Sequence, residues 1–424
     1  MFPDVRADFP ILTRTVRNGK PLVYLDSAAT AQKPSAVLEA EANFSREHNA
    51  AVQRGAHALA EEATEAFEAA RGTVAEFVGA GEGELVWAQN ATAALNIVAS
   101  GMGNASQGLG GAEATRFVLS PGDEIVVTES EHHANLIPWQ ILAQRTGATL
   151  RWFGVDDRGE LLLEDLSDIV TERTRLVALQ HASNVTGVVH PIDRVIARAR
   201  EVGALVVLDA CQSVPHLPVD FRELDVDFAA FSGHKMLGPT GIGALYGRRA
   251  LLDALPPSTF GGSTVKTVSM EETTWLGSPA RFEAGSQPVA QAIGMAAAAR
   301  YLAALGMGEV AAHERGLGER LRQGVAAIDG VRLLGPPPGT AGKTLGLAAF
   351  EVEGIHAHDV GQVLDDAGIA VRVGHHCAQP LHRRLGLVSS TRASLQVYST
   401  VEEVDAFLAA LAGVRAFFGE RGPA

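Results

Sequence analysis

Two stretches hold side chains that could do covalent chemistry. The first, "DFAAFSGHKMLGPTGIGALY" (227–246), places Ser232, His234 and Lys235 between an apolar run and a glycine-rich turn. The second, "RVGHHCAQP" (372–380), holds Cys377, one of two cysteines in the chain, directly behind His375 and His376. A lysine amine works chiefly as a nucleophile toward carbonyls. A cysteine beside two imidazoles can be a metal ligand, a nucleophile or an inert small residue. His375, His376 and Cys377 are too few for a closed zinc site, which takes four ligands, although His356 and His358 would add to the count. An unperturbed thiol titrates near ~8.5, and nearby Arg372 and the two histidines would raise its thiolate fraction.

The common carbonyl partner of a reactive lysine is pyridoxal 5'-phosphate (PLP). That group needs an acid at its pyridine nitrogen, phosphate donors at a helix start and a flat side chain against its ring. Asp209 ends the apolar run "ALVVLDA" (204–210), 26 residues before Lys235, where open α/β sheets place ligand chemistry. Thr92 in "QNATAALNIVAS" (89–100) lies at a predicted helix start, whose free N–H groups attract a phosphate. His132 in "ESEHHANLIPWQ" (129–140) supplies a ring. Singly, each has a plainer reading: a surface lysine, a capping or turn aspartate, a capping threonine, a loop histidine. Their order along the chain, at strand and helix ends, argues for one shared site.

The elements that must position these residues follow from hydrophobic period. Short β-rich runs at 123–129, 148–155, 174–181, 204–210, 227–233 and 242–247 alternate with helical patterns such as 191–203, whose apolar positions recur at three- and four-residue steps. Apolar strands separated by helices predict a mainly parallel sheet covered on both faces. After the Pro/Gly-rich "GPPPGTAGKT" (335–344), strands at 345–352, 369–374 and 392–398 and a helix near 356–367 predict a smaller α+β unit. Thr400 and Glu403 form a capping-box pattern before a last helix. The Ala-rich 292–308 reads as a buried helix and 104–115 as a mobile Gly-rich loop. The expected division is a large domain over 25–285 and a small one from 1–24 and 286–424.

Composition limits the partners. A net charge of −14, from 49 acidic against 35 basic residues, argues against nucleic-acid binding. Two cysteines make no disulfide framework. The start "MFPDVRADFPILTR" lacks a secretory signature, and no apolar stretch is long enough to span a bilayer, so a cytoplasmic protein with free thiols is expected.

The blocks "YLDSAATAQKP" (24–34), "RGAH" (54–57), "EHHANLIPWQ" (131–140), "SNVTG" (183–187), "LDACQ" (208–212), "FSGHKMLGPTGIG" (231–243), "RFEAG" (281–285), "RVGHHCAQP" (372–380) and "RASL" (392–395) occur in an order that resembles the SufS-type (group II) cysteine desulfurases of the class V aminotransferase family. The resemblance covers almost the whole chain. It implies the PLP-dependent transferase fold type I, with Lys235 bound to the cofactor, Asp209 at its ring nitrogen, Gln212 at its ring hydroxyl and His132 on its ring. It further implies phosphate contacts from Thr92, Ser232 and His234, and substrate orientation by Asn184, Arg372 and Arg392. Arginine suits that last task because its planar fork bonds both carboxylate oxygens.

Cys377 matches the cysteine that receives sulfur from L-cysteine as a persulfide, with L-alanine released, and His132 a proton carrier. The family also implies a homodimer and a sulfur acceptor of the SufU-like or SufE-like kind in iron–sulfur cluster assembly; the forms "HHCAQP" and "HAHD" (356–359) resemble members served by the SufU-like kind, and His358 either faces that partner or caps or decorates the helix after "EVEG". Related activities left open are selenocysteine lyase, cysteine sulfinate desulfinase and plain aminotransferase. The chain departs from the family pattern at Asn90-Ala91-Thr92-Ala93, usually Gly-Thr-Thr-Glu, at Gln53, usually histidine, at Ser286, usually threonine, and in the longer 104–115 stretch.

Overall fold

The computed structural model, which describes residues 2–81, 83–340 and 343–419, gathers the alternating runs into a seven-stranded sheet. Its strands are β1 (Leu85–Ala88), β2 (Glu124–Thr128), β3 (Thr149–Phe153), β4 (Thr174–Gln180), β5 (Leu205–Asp209), β6 (Phe228–Ser232) and β7 (Gly243–Gly247). They lie in the spatial order β1-β7-β6-β5-β4-β2-β3. Only β7 runs against the others, pairing antiparallel with β1 and β6. Strands β2 to β7 fall within the predicted runs. The edge strand β1 is an addition, too short to show a period of its own.

Side chains of one strand point alternately to opposite faces, so an entirely apolar strand feeds two cores. Leu205 and Val207 of β5 join one core with helices Ala91–Ser106 and Ile137–Thr146. Val206 and Leu208 join the other with helices Ala58–Phe77, Ile192–Val202 and Val289–Leu305. The amphipathic Ile192–Val202 stops at Gly203, whose φ of +74° suits a residue without Cβ.

The 292–308 prediction holds as a buried helix, Val289–Leu305, which packs on Ser35–Asn43 and Ala58–Phe77 before the chain bends 78° into Met307–Ala326. Among the described residues no single helix is long and apolar enough to cross a membrane. The 104–115 stretch is not an open loop. Its start completes helix Ala91–Ser106, and Gly111–Phe117 forms a 3-10 helix whose Ala114 and Phe117 are buried.

The smaller antiparallel sheet holds β8 (Val331–Leu333), β9 (Leu347–Val352), β10 (Arg372–Gly374) and β11 (Ser390–Ser394) in the order β8-β9-β11-β10. Ala341 and Gly342 of the Pro/Gly-rich stretch before it lie outside the described residues. Helices Met307–Ala326, Ala357–Asp366 and Val401–Gly419 bury Leu321, Leu364 and Phe407 in its core. The last of them carries the predicted capping box: Glu403 N–H donates to Thr400 Oγ1 (3.2 Å) and Thr400 N–H to Glu403 Oε2 (3.1 Å).

β11 ends at Ser394, four residues before the predicted limit, because "QVY" enters a turn closed by Gln396 N–H on Ser399 Oγ. Near the N-terminus, strand Val23–Tyr24 pairs in parallel with Ile369–Ala370, and Asp26 bridges to Ser394. That stitch brings the first residues of the chain beside β11.

Candidate active site

β4, β5 and β6 end side by side, at Gln180, Asp209 and Ser232. Their carboxyl ends open on a cavity of about 730 Å³. Every catalytic, cofactor and substrate residue that the resemblance assigns lines it: Thr92, His132, Asn184, Asp209, Gln212, Ser232, His234, Lys235, Arg372, Cys377 and Arg392. His358 lines it as well.

The floor is fixed by backbone chemistry. Asn90 caps helix Ala91–Ser106, its Oδ1 accepting the Ala93 N–H at 2.9 Å. Ser232 Oγ accepts the Ala91 N–H at 2.9 Å, tying the end of β6 to the helix start and leaving its own hydroxyl proton free to donate. Asp209 is buried. Its carboxylate accepts the Cys211 N–H (2.9 Å), and among the described residues no cationic side chain is in ion-pair contact with it. A buried carboxylate so sparsely partnered suits a protonated ring nitrogen. Gln212 donates one Nε2–H to the Ala28 carbonyl (2.9 Å) and keeps a second N–H.

His132 accepts the Ala134 N–H at Nδ1 (3.1 Å), which puts its ring proton on Nε2. Burial, and then the Lys235 ammonium, pushes this imidazole down to about 4, so it is neutral at pH 7. The same causes push His234 down to about 4. Burial and the Asp209 carboxylate push the Cys211 thiol up to about 12, so it stays protonated, 4.0 Å from Ser232 Oγ. The donor set around Asp209 therefore fits PLP: Thr92, Ser232, His234 and the helix N-terminus for its phosphate, Asp209 for its nitrogen, Gln212 for its hydroxyl, His132 for its face and Lys235 for its carbonyl carbon.

Across the cavity lies the cysteine turn. His376 and Cys377 both take left-handed backbone, with φ of +49° and +57°, which costs a β-substituted residue and persists only where neighbours hold it. Four contacts do so. His133 N–H donates to the Cys377 carbonyl (2.7 Å), and His133 Nε2 accepts the Gln379 N–H (3.2 Å). Asn184 Nδ2 donates to the His376 carbonyl (2.7 Å), and His375 Nδ1 accepts the Cys377 N–H (3.2 Å). His376 is buried against Ser390 Oγ (3.0 Å). Burial and nearby Arg392 push it far below the usual imidazole range, so this ring is neutral and brings no positive charge to the thiol, contrary to expectation.

Arg392 is buried, its Nη1 on the Asn184 carbonyl (2.7 Å), its Nη2 3.4 Å from Asp26 Oδ1 and its Nε without a partner among the described residues. Burial lowers it to about 10, so it remains a cation. Arg372 is more than half exposed and reaches within 4.0 Å of Asp26 Oδ2. His358 is exposed, and it is His356 that caps helix Ala357–Asp366 by accepting the His358 N–H (3.3 Å). Among the described residues no group of three or more His, Cys, Asp or Glu is placed to share a metal ion.

Asp26, Glu131 and His133 were not singled out from the sequence, although each lies in a quoted block. Glu131 is fully buried and accepts from Thr128 Oγ1 (2.6 Å), Asn135 Nδ2 (2.7 Å) and the Gln180 N–H (2.9 Å). Burial still pushes it up to about 8.

The class-V aminotransferase family model matches residues 23–407. A Mycobacterium leprae protein named "Probable cysteine desulfurase 2" is 55% identical over 98% of this chain and 97% of its own length. Among solved structures, an apo cysteine desulfurase from Thermococcus onnurineus NA1 superposes with a TM-score of 0.90 at 38% identity, covering 99% of each chain. The cysteine desulfurase CsdA of Escherichia coli, in an S-sulfonic acid form, gives 0.87 at 37% identity, covering 99% of this chain and 100% of its own.

Proposed function

This chain belongs to the class-V aminotransferase family as a PLP-dependent cysteine desulfurase, and from that premise we propose that it moves the sulfur of L-cysteine onto Cys377 as a persulfide for an acceptor protein in iron–sulfur cluster assembly. Bound PLP supplies an electron sink that loosens the substrate's α-hydrogen and then its Cβ–S bond. Lys235 Nζ takes the α-proton. The Asp209 carboxylate balances the charge of the ring nitrogen. Arg392 clamps the substrate carboxylate, for which its unpartnered Nε is a free donor. Neutral His132, with its proton on Nε2, moves protons above the ring.

Cys377 Sγ, as thiolate, bonds to the substrate sulfur as the Cβ–S bond breaks. The bonding pair stays with Cβ, which takes a proton, so the products are alanine and the Cys377 persulfide. Left-handed backbone at His376 and Cys377 supports this assignment, since strain of that kind collects where a reactive group is held in position. The enzyme works as a homodimer, in which Phe260, Val268 and Met270, exposed apolar side chains, gain a cover.

The observation that carries the reading is one cavity shared by Lys235, Asp209, Arg392 and Cys377. Alanine release from L-cysteine, wild type beside Cys377→Ala with absorbance spectra of both, tests it. The variant is expected to stay yellow and to lose alanine release. A yellow variant that makes alanine at the wild-type rate removes Cys377 from the mechanism.

A further inference from the structure

The structure assigns His133 as a positioning residue for Cys377, acting through one ring nitrogen that must stay unprotonated; the inference rests on the desulfurase reading of this cavity. His133 follows His132, the ring that fits the cofactor face, so two adjacent residues serve two halves of the site. The His133 backbone N–H donates to the Cys377 carbonyl (2.7 Å), and its ring Nε2 accepts the Gln379 N–H (3.2 Å). The ring also packs on that of His375, with centroids 5.5 Å apart. One residue thus grips the cysteine turn on both sides of Ala378.

An amide N–H only donates, so Nε2 carries a lone pair and the ring proton sits on Nδ1. His375 Nδ1 accepts the Cys377 N–H (3.2 Å) in the same way. Both imidazoles hold the turn only while those nitrogens are bare. A proton on His133 Nε2 sets donor against donor and releases Gln379. The left-handed backbone at His376 and Cys377 then loses one of the contacts that keep it in place.

The neighbours of His133 make a proton there unwelcome. His132 is neutral, and Glu131, pushed up to about 8, is mostly uncharged at pH 7. Arg145 lines the groove beside His133. From the turn come His375 and Cys377, the latter negative only as thiolate. Helix Ala91–Ser106 has no charged side chain, and Arg175 of β4 pairs with Asp123. Helix Gln379–Arg384 sends His382 to Ser390 and Arg384 to Asp157. Among the described residues no carboxylate is in ion-pair contact with His133 or His375; His48 and His216 are the histidines so paired. Burial, and then His375, hold His133 below the usual imidazole range. With the value in the folded state lowered, the grip is complete above about 6.5 and is lost as pH falls through that lower value.

The test compares wild-type holoenzyme with His133→Ala and His133→Gln. Glutamine offers an acceptor oxygen in place of Nε2 and does not titrate. At pH 8, His133→Ala is expected to lose kcat about 2- to 10-fold, the worth of one hydrogen bond, with KM for L-cysteine held, and His133→Gln to restore most of it. Between pH 8 and pH 5.5 the wild type should lose about 2- to 10-fold more kcat than His133→Gln. A merely structural role moves neither the acid limb nor its rescue by glutamine. Equal acid losses in wild type and His133→Gln overturn the inference. So does a rise in KM with kcat held in His133→Ala, which marks a substrate contact. Amide hydrogen exchange over residues 375–381, at one pH, reads the grip without turnover: it should quicken in His133→Ala, and an unchanged rate overturns the inference. A wild type that makes no alanine from L-cysteine sinks instead the desulfurase reading, and the exchange experiment still decides whether His133 holds the turn.

Discussion

Asn184 holds two sides of the site. Its Nδ2 anchors the His376 carbonyl at 2.7 Å, while its backbone oxygen accepts Arg392 Nη1 at 2.7 Å. Asn184→Ala removes the first contact and keeps the second. A lost buried hydrogen bond costs about 1–3 kcal/mol, and if that cost falls on the transition state kcat drops about 5- to 150-fold. Steady-state kinetics with L-cysteine separate the roles: a fall in kcat with KM held marks Asn184 as an anchor of the cysteine turn, whereas a rise in KM alone marks a substrate contact instead. Residues with a chemical signature of their own, Lys235 and Cys377, were legible in the sequence. Asp26 was not, because its meaning is Arg392, 366 positions away, and no local pattern carries that pairing.

At the scale of elements, the phosphate end depends on how closely β7 passes the start of helix Ala91–Ser106. A Cβ at Gly243 would come 2.7 Å from both Asn90 Cα and Phe231 O, backbone atoms that cannot rotate aside. Gly243→Ala should therefore push the helix cap off β6, at an overpacking cost of about 1–3 kcal/mol. A lower denaturant midpoint and loss of cofactor absorbance on gel filtration are the expected readings, and a wild-type result in both would show that the cap can yield. Strands β5 and β6 beside it were legible because each is an apolar run closed by a polar residue, Asp209 in one and Ser232 in the other. Val23–Tyr24 was not, since two residues have no period and their partner is Ile369–Ala370. The 104–115 stretch misled for a different reason: glycine and small residues look like loop, yet Ala114 and Phe117 bury into the core beside helix Ala91–Ser106.

The whole molecule folds around imidazoles that have lost their water. Burial pushes His181 down to about 4 and His190 to about 3, and burial followed by Lys235 pushes His132 and His234 to about 4. Unfolded, each titrates near 6.5. Between about 6.5 and 4 the unfolded chain thus binds more protons, and stability is lost as pH falls through that window. By pH 5 each such group costs about 2 kcal/mol. Glu131, pushed up to about 8, has the opposite sign: its contribution is lost as pH rises from about 4.5 to 8. Burial raises Asp26, Glu41, Glu283 and Glu403 in the same sense as Glu131, but it also lowers His133, His313, His376 and His382, and the depressed imidazoles outnumber the raised carboxyls, so the melting temperature should drop between pH 7 and pH 5. His190 isolates the cause, because it is buried outside the cofactor cavity, 3.4 Å from Gln180. In His190→Gln the drop between those two pH values should be smaller than in wild type, whatever the variant's stability at pH 7. An equal drop in both proteins would move the acid sensitivity to other groups and leave the buried imidazoles thermodynamically silent.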